Sequence, residues 1–248
     1  MTSILIVDGD AEQAGLFQDC LEREGFKVAG VHDGLGGLKL ALSGQYGLVI
    51  LDTILPDISG CEILVRIRQE SQIPILMLTA GDYDADCTIG LLEDGADDYL
   101  CKPCTPRELA VRTRALLRRV EAAVDKRAPD EPIDTGPLKI WSDKRKAVWF
   151  GKELELTSTE FDLLKTLALN VGRTVSKHEL SEKALGRPLA RFDRSIDMHI
   201  SSIRQKLGHR NNGHSYIQTV HGKGYQLLRD HTWAVYSGNA FSSFGWHC

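Results

Sequence analysis

Short apolar runs and amphipathic stretches alternate along the first 124 residues. Five of the runs are typical of strands: Ile4–Val7, Lys27–Val31, Leu48–Leu51, Ile75–Leu78 and Tyr99–Cys101. Between them, apolar residues recur with helical spacing near residues 11–24, 35–43, 59–69, 84–94 and 106–122. Because wholly apolar strands suit a parallel sheet covered on both faces, the pattern predicts a doubly wound α/β domain. Its functional site is expected at the carboxyl ends of the strands.

From Leu138 onwards the apolar positions form short clusters separated by turn residues. Strands are predicted at 138–141, 147–150 and 153–156, and two helices begin with capping boxes at Thr157 and Ser176. A third helix after Asp193 has one apolar stripe, formed by Ile196, Ile200, Ile203 and Leu207. A hairpin with the basic tip His221–Gly224 follows it. This order predicts an α+β winged helix-turn-helix domain, whose third helix enters the DNA major groove.

The segments outside these two patterns are a linker and a tail. Residues 125–137 contain three prolines and no apolar periodicity, as is typical of a linker. The predicted domains are therefore 1–124 and 138–229. Residues 230–248 add five aromatic side chains after the hairpin is complete. We expect a poorly ordered extension or an altered reading frame there, with a partner-binding tail as the alternative.

Charge divides the chain in the same way. The net charge is −4, which by itself argues against a nucleic-acid binder. Residues 1–124 carry 11 basic and 20 acidic side chains, whereas residues 138–248 carry 17 and 10. The second domain is thus basic and suited to a phosphate backbone, and the first is acidic.

Nothing in the sequence predicts insertion into a membrane. The longest apolar runs are a few residues, whereas a bilayer-spanning helix needs roughly 20. The N-terminus has no basic segment before its apolar residues, so no secretory signal is visible and a cytoplasmic protein is expected. The six cysteines are then expected to be free thiols. Cys101 and Cys104 have the spacing of a redox motif, but a structural position beside a strand end is the favoured interpretation.

Polar side chains stand at the ends of four predicted strands. Asp8 and Asp10 follow the first strand, Asp52 ends the third, Thr79 ends the fourth and Lys102 follows the fifth. Carboxylates, a hydroxyl and an ammonium at one edge suit Mg²⁺-assisted phosphoryl transfer to an aspartate, because oxygen ligands hold the metal and cations neutralise the transferring group.

The motifs at these positions resemble the receiver domain of two-component response regulators. They are Ile-Leu-Ile-Val-Asp8, Leu51-Asp52-Thr-Ile-Leu-Pro56-Asp-Ile-Ser-Gly60, Met77-Leu-Thr79-Ala80, Gly95-Ala-Asp97-Asp98-Tyr99 and Lys102-Pro103. The resemblance implies a five-stranded parallel sheet of order 2-1-3-4-5 and a phosphoacceptor, Asp52, that a sensor histidine kinase phosphorylates. It implies no turnover of an external substrate, so the chain is not expected to be an enzyme.

The resemblance also assigns roles around Asp52. It implies that Mg²⁺ is held by Asp8, Asp52 and the backbone carbonyl of Ile54. Thr79 and Lys102 would bind the phosphoryl oxygens, and Tyr99 would be the switch aromatic. The Lys102–Pro103 bond is expected to be cis.

The receiver motif is incomplete after the first strand. Receivers usually have two adjacent acids there, and the second binds the metal directly, but this chain has Gly9. Asp10 is the alternative ligand, although its side chain leaves the backbone in another direction. We therefore expect weaker Mg²⁺ binding and slower phosphorylation.

A homodimer on activation is a further implication of the resemblance. The transcription-factor branch pairs through a surface made by the fourth and fifth receiver helices and the fifth strand, which we call the dimer face. The matching residues here are Asp97, Asp98, Glu108, Arg112 and Arg119. The basic partner expected for Glu108 is replaced by Cys87, and the loss of one exposed ion pair should weaken the dimer only slightly.

The second domain resembles the OmpR/PhoB family. The motifs are Leu156-Thr-Ser-Thr-Glu160-Phe, Arg191-Phe-Asp-Arg-Ser-Ile-Asp-Met-His-Ile200 and Gly222-Lys-Gly224-Tyr225, and residues 192–201 are especially similar to its envelope-stress branch. Contacts to the edges of the DNA bases are predicted for Ser201, Ser202 and Arg204. Contacts to DNA phosphates are predicted for Arg194, His199 and Lys206. The wing is predicted to contact DNA through His221 and Lys223. The loop 186–191 is where relatives contact RNA polymerase.

Two alternatives to a phosphorylated transcription regulator stay open at this point. A degenerate receiver would dimerise and bind DNA without phosphorylation, which Gly9 favours. An Mg²⁺-dependent phosphatase of the haloacid-dehalogenase type also has an Asp-x-Asp motif after a strand. That family has Thr or Val two residues further on, where this chain has Glu12.

Overall fold

The computed structural model describes residues 2–80, 90–92, 94–124, 131–189, 193–210 and 212–229. Most of the predicted helix 84–94, Cys87 and the extension 230–248 therefore lie outside the described residues, as does the side chain of Arg119. No helix within the described ranges is long and apolar enough to cross a bilayer.

The first domain is a five-stranded parallel sheet with helices on both faces. Its strands are β1 (Ser3–Val7), β2 (Lys27–Val31), β3 (Leu48–Asp52), β4 (Ile75–Thr79) and β5 (Asp98–Cys101). The helices whose bounds are described are α1 (Ala11–Arg23), α2 (Gly34–Ala41), α3 (Gly60–Glu70) and α4 (Pro106–Val124). The strand order is β2-β1-β3-β4-β5, which confirms the predicted fold class.

Alternation along the strands divides the core of this domain into two layers. Ile4 and Ile6 pack with residues of α1 and α4 on one face of the sheet. Leu5 and Val7 pack with residues of α2 and α3 on the other. Because both faces are covered, β3 and β4 are buried along their whole length, and polar groups collect at the strand ends.

The second domain has a small antiparallel sheet, three helices and a terminal hairpin. Its strands are β6 (Ile133–Asp134), β7 (Leu138–Trp141), β8 (Lys146–Trp149), β9 (Lys152–Glu153), β10 (Ile217–Val220) and β11 (Gly224–Leu227). Its helices are α5 (Ser158–Leu169), α6 (Lys177–Leu180), which continues into a π-helical turn at Ser181–Leu185, and α7 (Ser195–Leu207). This is the predicted winged-helix arrangement, with the predicted apolar stripe of α7 buried.

The predicted linker is too long at its C-terminal end. Ile133 pairs with Ile140 and Asp134 with Lys139, so β6 is an edge strand of the second domain. The physical reason is the side chain of Ile133, which packs against the core of that domain. Residues 131–132 and the turn 135–137 are the only described parts of the predicted linker outside a strand.

Candidate functional site

Two carboxylates and one ammonium meet at the carboxyl edge of the parallel sheet. Because β1 and β3 are neighbours in register, Asp8 and Asp52 lie side by side. Nζ of Lys102 reaches between them, 2.9 Å from Oδ2 of Asp8 and 2.7 Å from Oδ2 of Asp52. The side chains of Asp8 and Asp52 are 0% and 9% exposed, so this acid pocket is largely shielded from water. The peptide bond that follows Lys102, between Lys102 and Pro103, is cis as expected.

Burial and the neighbouring ammonium have opposite effects on the acid pocket. Burial raises the pKa of Asp52, and the hydrogen bond from Lys102 offsets part of that rise. Burial alone would lower the pKa of Lys102, but its hydrogen bonds to Asp52 and Asp8 outweigh that effect and raise the pKa. Lys102 is therefore held as a cation, which suits it to neutralise charge on a transferring phosphoryl group.

The loop after β3 packs tightly against the strand that carries Asp52. A Cβ atom at position 60 would lie 1.9 Å from the carbonyl oxygen of Asp52, so only glycine fits at Gly60. The amide of Gly60 donates to the carbonyl of Thr53 at 3.0 Å. The amide of Ile54 donates to Oδ1 of Asp52 at 3.1 Å. These contacts fix the turn that contains the backbone carbonyl predicted as a metal ligand.

Asp10, the alternative to the missing second acid, has another role in this structure. Oδ1 of Asp10 accepts hydrogen bonds from the amides of Glu12 and Gln13, each at 3.0 Å, and so caps α1. The position that faces the turn is Gly9, where a Cβ atom would lie 3.6 Å from the carbonyl oxygen of Ile54. Across the described ranges, no three His, Cys, Asp or Glu side chains form a metal-binding cluster.

Thr79 ends β4, and Tyr99 is the second residue of the neighbouring strand β5. Thr79 is fully buried at the end of β4, and its Oγ1 donates to Sγ of Cys101 at 3.4 Å. Tyr99 is partly buried in β5. Burial raises the pKa of its hydroxyl, and the negative charge of the nearby Asp193 raises it further. Thr79 therefore lies at the carboxyl edge of the sheet with its hydroxyl directed to a thiol, whereas Tyr99 lies two residues before Cys101 in β5.

Three residues of the predicted dimer face are engaged inside the chain. Asp97 is fully buried, and its Oδ2 accepts from Nη2 of Arg68 at 2.9 Å. Nη1 of Arg112 donates to both oxygens of Asp98, at 3.2 and 3.0 Å. Glu108 is exposed, as a residue at a protein–protein contact should be in an isolated chain.

On α7, the prediction that His199 contacts phosphates is wrong for this conformation. His199 is 1% exposed and lies on the same side of the helix as the apolar stripe. It is three residues after Ile196 and four before Ile203, spacings that place residues on one helical face. Its side chain thus belongs to the buried face rather than to the surface that would meet DNA.

Two other predicted DNA contacts on α7 are directed towards a buried acid. Oγ of Ser202 donates to Oε1 of Glu160 at 2.5 Å, and Nζ of Lys206 donates to Oε2 at 2.6 Å. Burial favours the protonated form of Glu160, but Lys206 and the hydrogen bonds hold its pKa below the usual value. Ser202 and Lys206 therefore hold α7 against α5, where Glu160 also completes the capping box of Thr157.

Arg204 connects α7 to the terminal hairpin. Its Nε donates to the carbonyl of Ile217 at 3.0 Å, and its Nη2 donates to Oγ1 of Thr219 at 2.8 Å. The guanidinium also lies 5.5 Å from the ring centroid of Tyr225. Arg204 therefore fixes the orientation of the helix relative to the hairpin in this structure.

The tip of the hairpin is the predicted basic wing. His221 and Lys223 are exposed there. A Cβ atom at Gly224 would lie 2.0 Å from the carbonyl oxygen of Val175, and its φ is +145°. Glycine is thus required where the hairpin crosses residue 175, which pairs with Tyr225.

The remaining predicted contacts, Arg194 and Ser201, are exposed and partly exposed. Three further residues form buried contacts, although the sequence does not single them out for function. Glu160 binds Lys206, Thr159 binds Asp97, and Arg187 binds Asp98. The sequence indicates Glu160 only as the last residue of a capping box. Arg187 lies in the loop assigned to RNA polymerase, and no local pattern indicates its partners.

Comparison with known proteins agrees with this two-domain arrangement. Residues 4–114 match the family described as "Response regulator receiver domain", and residues 151–227 match "Transcriptional regulatory protein, C terminal". The chain is 42% identical to the transcriptional regulatory protein CpxR of Escherichia coli over 92% of its own length and 99% of that protein. It is 39% identical to the alkaline phosphatase synthesis transcriptional regulatory protein PhoP of Bacillus subtilis, over 90% of this chain and 95% of that one.

A solved structure of a RitR mutant has the same fold, with a TM-score of 0.72 and 23% identity over 93% of this chain and 100% of that one. The two relatives are named as transcriptional regulators, which leaves the phosphatase alternative without support.

Proposed function

The chain belongs to the OmpR/PhoB family of two-component response regulators, and on that basis we propose that phosphorylation of Asp52 switches its binding to DNA. The observation that carries the proposal is the position of Lys102 between Asp8 and Asp52. A buried carboxylate with a fixed cation beside it is suited to accept a phosphoryl group. The cytoplasm, which holds both the donor and DNA, is the proposed location.

The proposed reaction transfers a phosphoryl group from a phosphohistidine of a sensor kinase. A carboxylate oxygen of Asp52 attacks phosphorus, the P–N bond breaks, and the imidazole leaves and takes up a proton. Lys102 neutralises charge on the phosphoryl oxygens, and Thr79 would donate to them after its hydroxyl turns from Cys101. The kinase contributes the donor, and this chain contributes the acceptor and the cation.

Mg²⁺ fits the acid pocket only in part. Asp8, Asp52 and the carbonyl of Ile54 supply oxygen ligands of the kind that Mg²⁺ prefers. Bound there, the ion would neutralise charge on the phosphoryl oxygens. The third protein side chain expected of a receiver is missing, because Gly9 has no side chain and Asp10 caps α1. We therefore propose weak Mg²⁺ binding in an otherwise competent pocket.

Reaction with acetyl phosphate tests whether Asp52 is the phosphoacceptor and whether Mg²⁺ binding is weak. Intact-mass measurement should show one added phosphoryl group on the wild-type chain and none on Asp52→Asn. In a Mg²⁺ titration, Gly9→Asp should reach half its maximal rate at a lower Mg²⁺ concentration than the wild type. Equal Mg²⁺ dependence would contradict weak binding, and phosphorylation of Asp52→Asn would contradict the assigned acceptor.

The partners proposed for the second domain are double-stranded DNA and RNA polymerase. Arg194, His221 and Lys223 are exposed on α7 and the wing, and they would contact phosphates. Two phosphorylated chains would pair through the dimer face and bind a tandem site.

The alternative of a degenerate receiver, which binds DNA without phosphorylation, keeps one specific observation in its favour, Gly9. The acetyl phosphate reaction separates this alternative from the phosphorylated switch.

A further inference from the structure

Three arginines of the winged-helix domain line one cleft, and none of them is among the predicted DNA contacts. Arg173 lies in the loop after α5, Arg210 lies three residues after the end of α7, and Arg229 lies two residues after the end of β11. The cleft, which we call the arginine cleft, has a volume of about 530 Å³, and none of the described residues that line it is acidic. It therefore concentrates positive charge on a domain that is basic as a whole.

The three guanidiniums have no counter-charge in the part of the chain that the structure describes. Arg173 and Arg229 are exposed, and Arg210 is half-buried with its guanidinium 5.9 Å from the centroid of the Tyr216 ring. No hydrogen bond or ion pair joins any of these guanidiniums to another described residue. Other arginines of this domain bind a carboxylate or a carbonyl oxygen: Arg145, Arg187 and Arg204. The arginine cleft is thus suited to an anion from outside the chain.

The end of α7 explains only one of these cations. The C-terminal end of a helix carries a partial negative charge, which favours a cation such as Arg210 nearby. Arg173 and Arg229 come from the loop after α5 and from the end of the hairpin, so the dipole of α7 does not account for them. Their convergence with Arg210 is a feature of the cleft itself.

Backbone contacts hold the edge of the cleft that carries two of the arginines. The amide of Gly172 donates to the carbonyl of Leu227 at 2.9 Å, and Nε2 of Gln226 donates to the carbonyl of Gly172 at 2.7 Å. A Cβ atom at position 172 would lie 3.3 Å from Nε of Arg229. The glycine therefore leaves room for this guanidinium, and the loop after α5 stays fixed to the end of β11.

The hairpin runs beside α7, which places the arginine cleft at one end of that helix. In the first half of α7, Oδ1 of Asp197 accepts from the hydroxyl of Tyr225, near the wing, at 2.5 Å. In the second half, Nε of Arg204 donates to the carbonyl of Ile217, at the open end of the hairpin. The wing thus lies towards the start of α7, and the arginine cleft lies at its C-terminal end.

The length of α7 carries this end as far as the DNA backbone. The helix has 13 residues, which at 1.5 Å per residue is about 20 Å, whereas the major groove is about 12 Å wide. Residues beyond both ends of a helix in that groove therefore lie near the phosphates that border it. Arg194 is placed for this contact at the N-terminal end, and the arginine cleft is placed for it at the other end.

We propose that the arginine cleft binds a second stretch of DNA backbone, beyond the C-terminal end of α7 and separate from the contacts of Arg194 and the wing. The proposal rests on the proposed binding to DNA and extends it along the duplex. Guanidiniums match phosphate oxygens with paired N–H donors. Because phosphates carry no direct sequence information, the cleft adds affinity and site length rather than base preference.

The salt dependence of DNA binding tests the proposal on the full chain treated with phosphodonor. The DNA is a duplex selected from genomic fragments by the phosphodonor-treated wild type. Arg173→Gln and Arg229→Gln should each reduce the slope of log affinity against log salt by about 1, and each should weaken binding to unrelated duplexes to a similar extent. Lys152→Gln is the matched control, because it removes the same charge at an exposed site on β9, and its slope should equal that of the wild type.

Duplex length locates the contact. The selected duplex, reduced to a single binding site, is shortened from each end in turn, and the wild type is compared with the double variant Arg173→Gln/Arg229→Gln. Shortening at one end should weaken the wild type and leave the double variant unaffected, because its contacts there are already lost. Equal losses in both proteins at every length would overturn the proposal. So would variants that lower only the cooperativity of two chains on a tandem site, since the cleft would then contact the second chain.

Arg194→Gln separates this proposal from the proposed function. A lower slope for Arg194→Gln, together with wild-type slopes for both cleft variants, would overturn the assignment of the arginine cleft and leave DNA binding through α7 in place. A wild type that binds no duplex would instead refute the function on which the proposal rests.

Discussion

The acid pocket of the receiver and the DNA-reading surface of the winged helix carry function in different ways. In the pocket, Asp8, Asp52 and Lys102 meet within hydrogen-bonding distance although they come from three separate strand ends. On α7, the polar residues lie on one continuous helix, yet His199 is buried and Lys206 binds an internal acid.

The difference follows from the geometry of the two elements. Neighbouring parallel strands bring their carboxyl ends to one edge, so residues placed there must converge. On a helix, each residue turns by about 100°, and a polar side chain near the edge of the apolar face can turn to either side. The first arrangement is fixed by topology, and the second depends on individual partners such as Glu160.

The largest expected effect concerns the cation of the pocket. Lys102→Met leaves Asp8 and Asp52 together without the ammonium that lies between them. We expect the reaction with acetyl phosphate to slow by about 100-fold, as for the loss of one stabilising donor elsewhere. The measurement is the initial rate of phosphorylation by intact mass. Lys39→Met, at an exposed site in the same domain, is the control, and a similar rate in both variants would count against a role for Lys102.

A smaller effect is expected where α7 is fixed to α5. Glu160→Gln preserves a residue able to cap α5 but removes the charge that binds Lys206. We expect a loss of about 1–3 kcal/mol in the free energy of unfolding at neutral pH. Chemical denaturation measures it, with the exposed Glu155→Gln as the control.

The pH dependence of that loss has a defined sign. The pKa of Glu160 is below its usual value of 4.5 in the folded chain, so its contribution is present above that value and fades as pH falls below it. The difference between wild type and Glu160→Gln should therefore shrink on acidification below about pH 4.5. A difference that stays constant down to pH 3 would mean that the charge of Glu160 contributes nothing.

The smallest expected effect separates two cations that the sequence treats alike. Arg194 is exposed at the start of α7, whereas Lys206 binds Glu160. With phosphodonor-treated protein, Arg194→Gln should reduce the slope of log affinity against log salt by about 1, because one phosphate contact is lost. Lys206→Gln should leave the slope unchanged. An equal reduction in both variants would show that Lys206 leaves Glu160 when DNA binds.

The strands and their polar ends were largely predictable from the sequence. The apolar runs predicted the bounds of β1 to β5 within about one residue. A parallel strand covered on both faces is almost wholly apolar, so the run of apolar residues marks where it begins and ends. The cap formed by Asp10 was also readable, since an Asp just before a helical pattern is a common helix start.

The contacts of Arg187 and Thr159 could not be predicted in this way. They join residues 89 and 62 positions apart, in domains whose patterns are independent of each other. No period or turn signal encodes which surface one domain presents to another. The burial of His199 is more predictable, because its spacing from Ile196 and Ile203 places it beside the apolar stripe of α7.

The most direct test of the central claim is DNA affinity of the full chain with and without acetyl phosphate, for the wild type and for Asp52→Asn. Both proteins are measured on the same selected duplex at one salt concentration, because affinity depends steeply on salt. The account predicts that acetyl phosphate tightens binding by the wild type and leaves Asp52→Asn unchanged. An equal gain in Asp52→Asn, or no gain in the wild type, would contradict a switch that acts through this carboxylate.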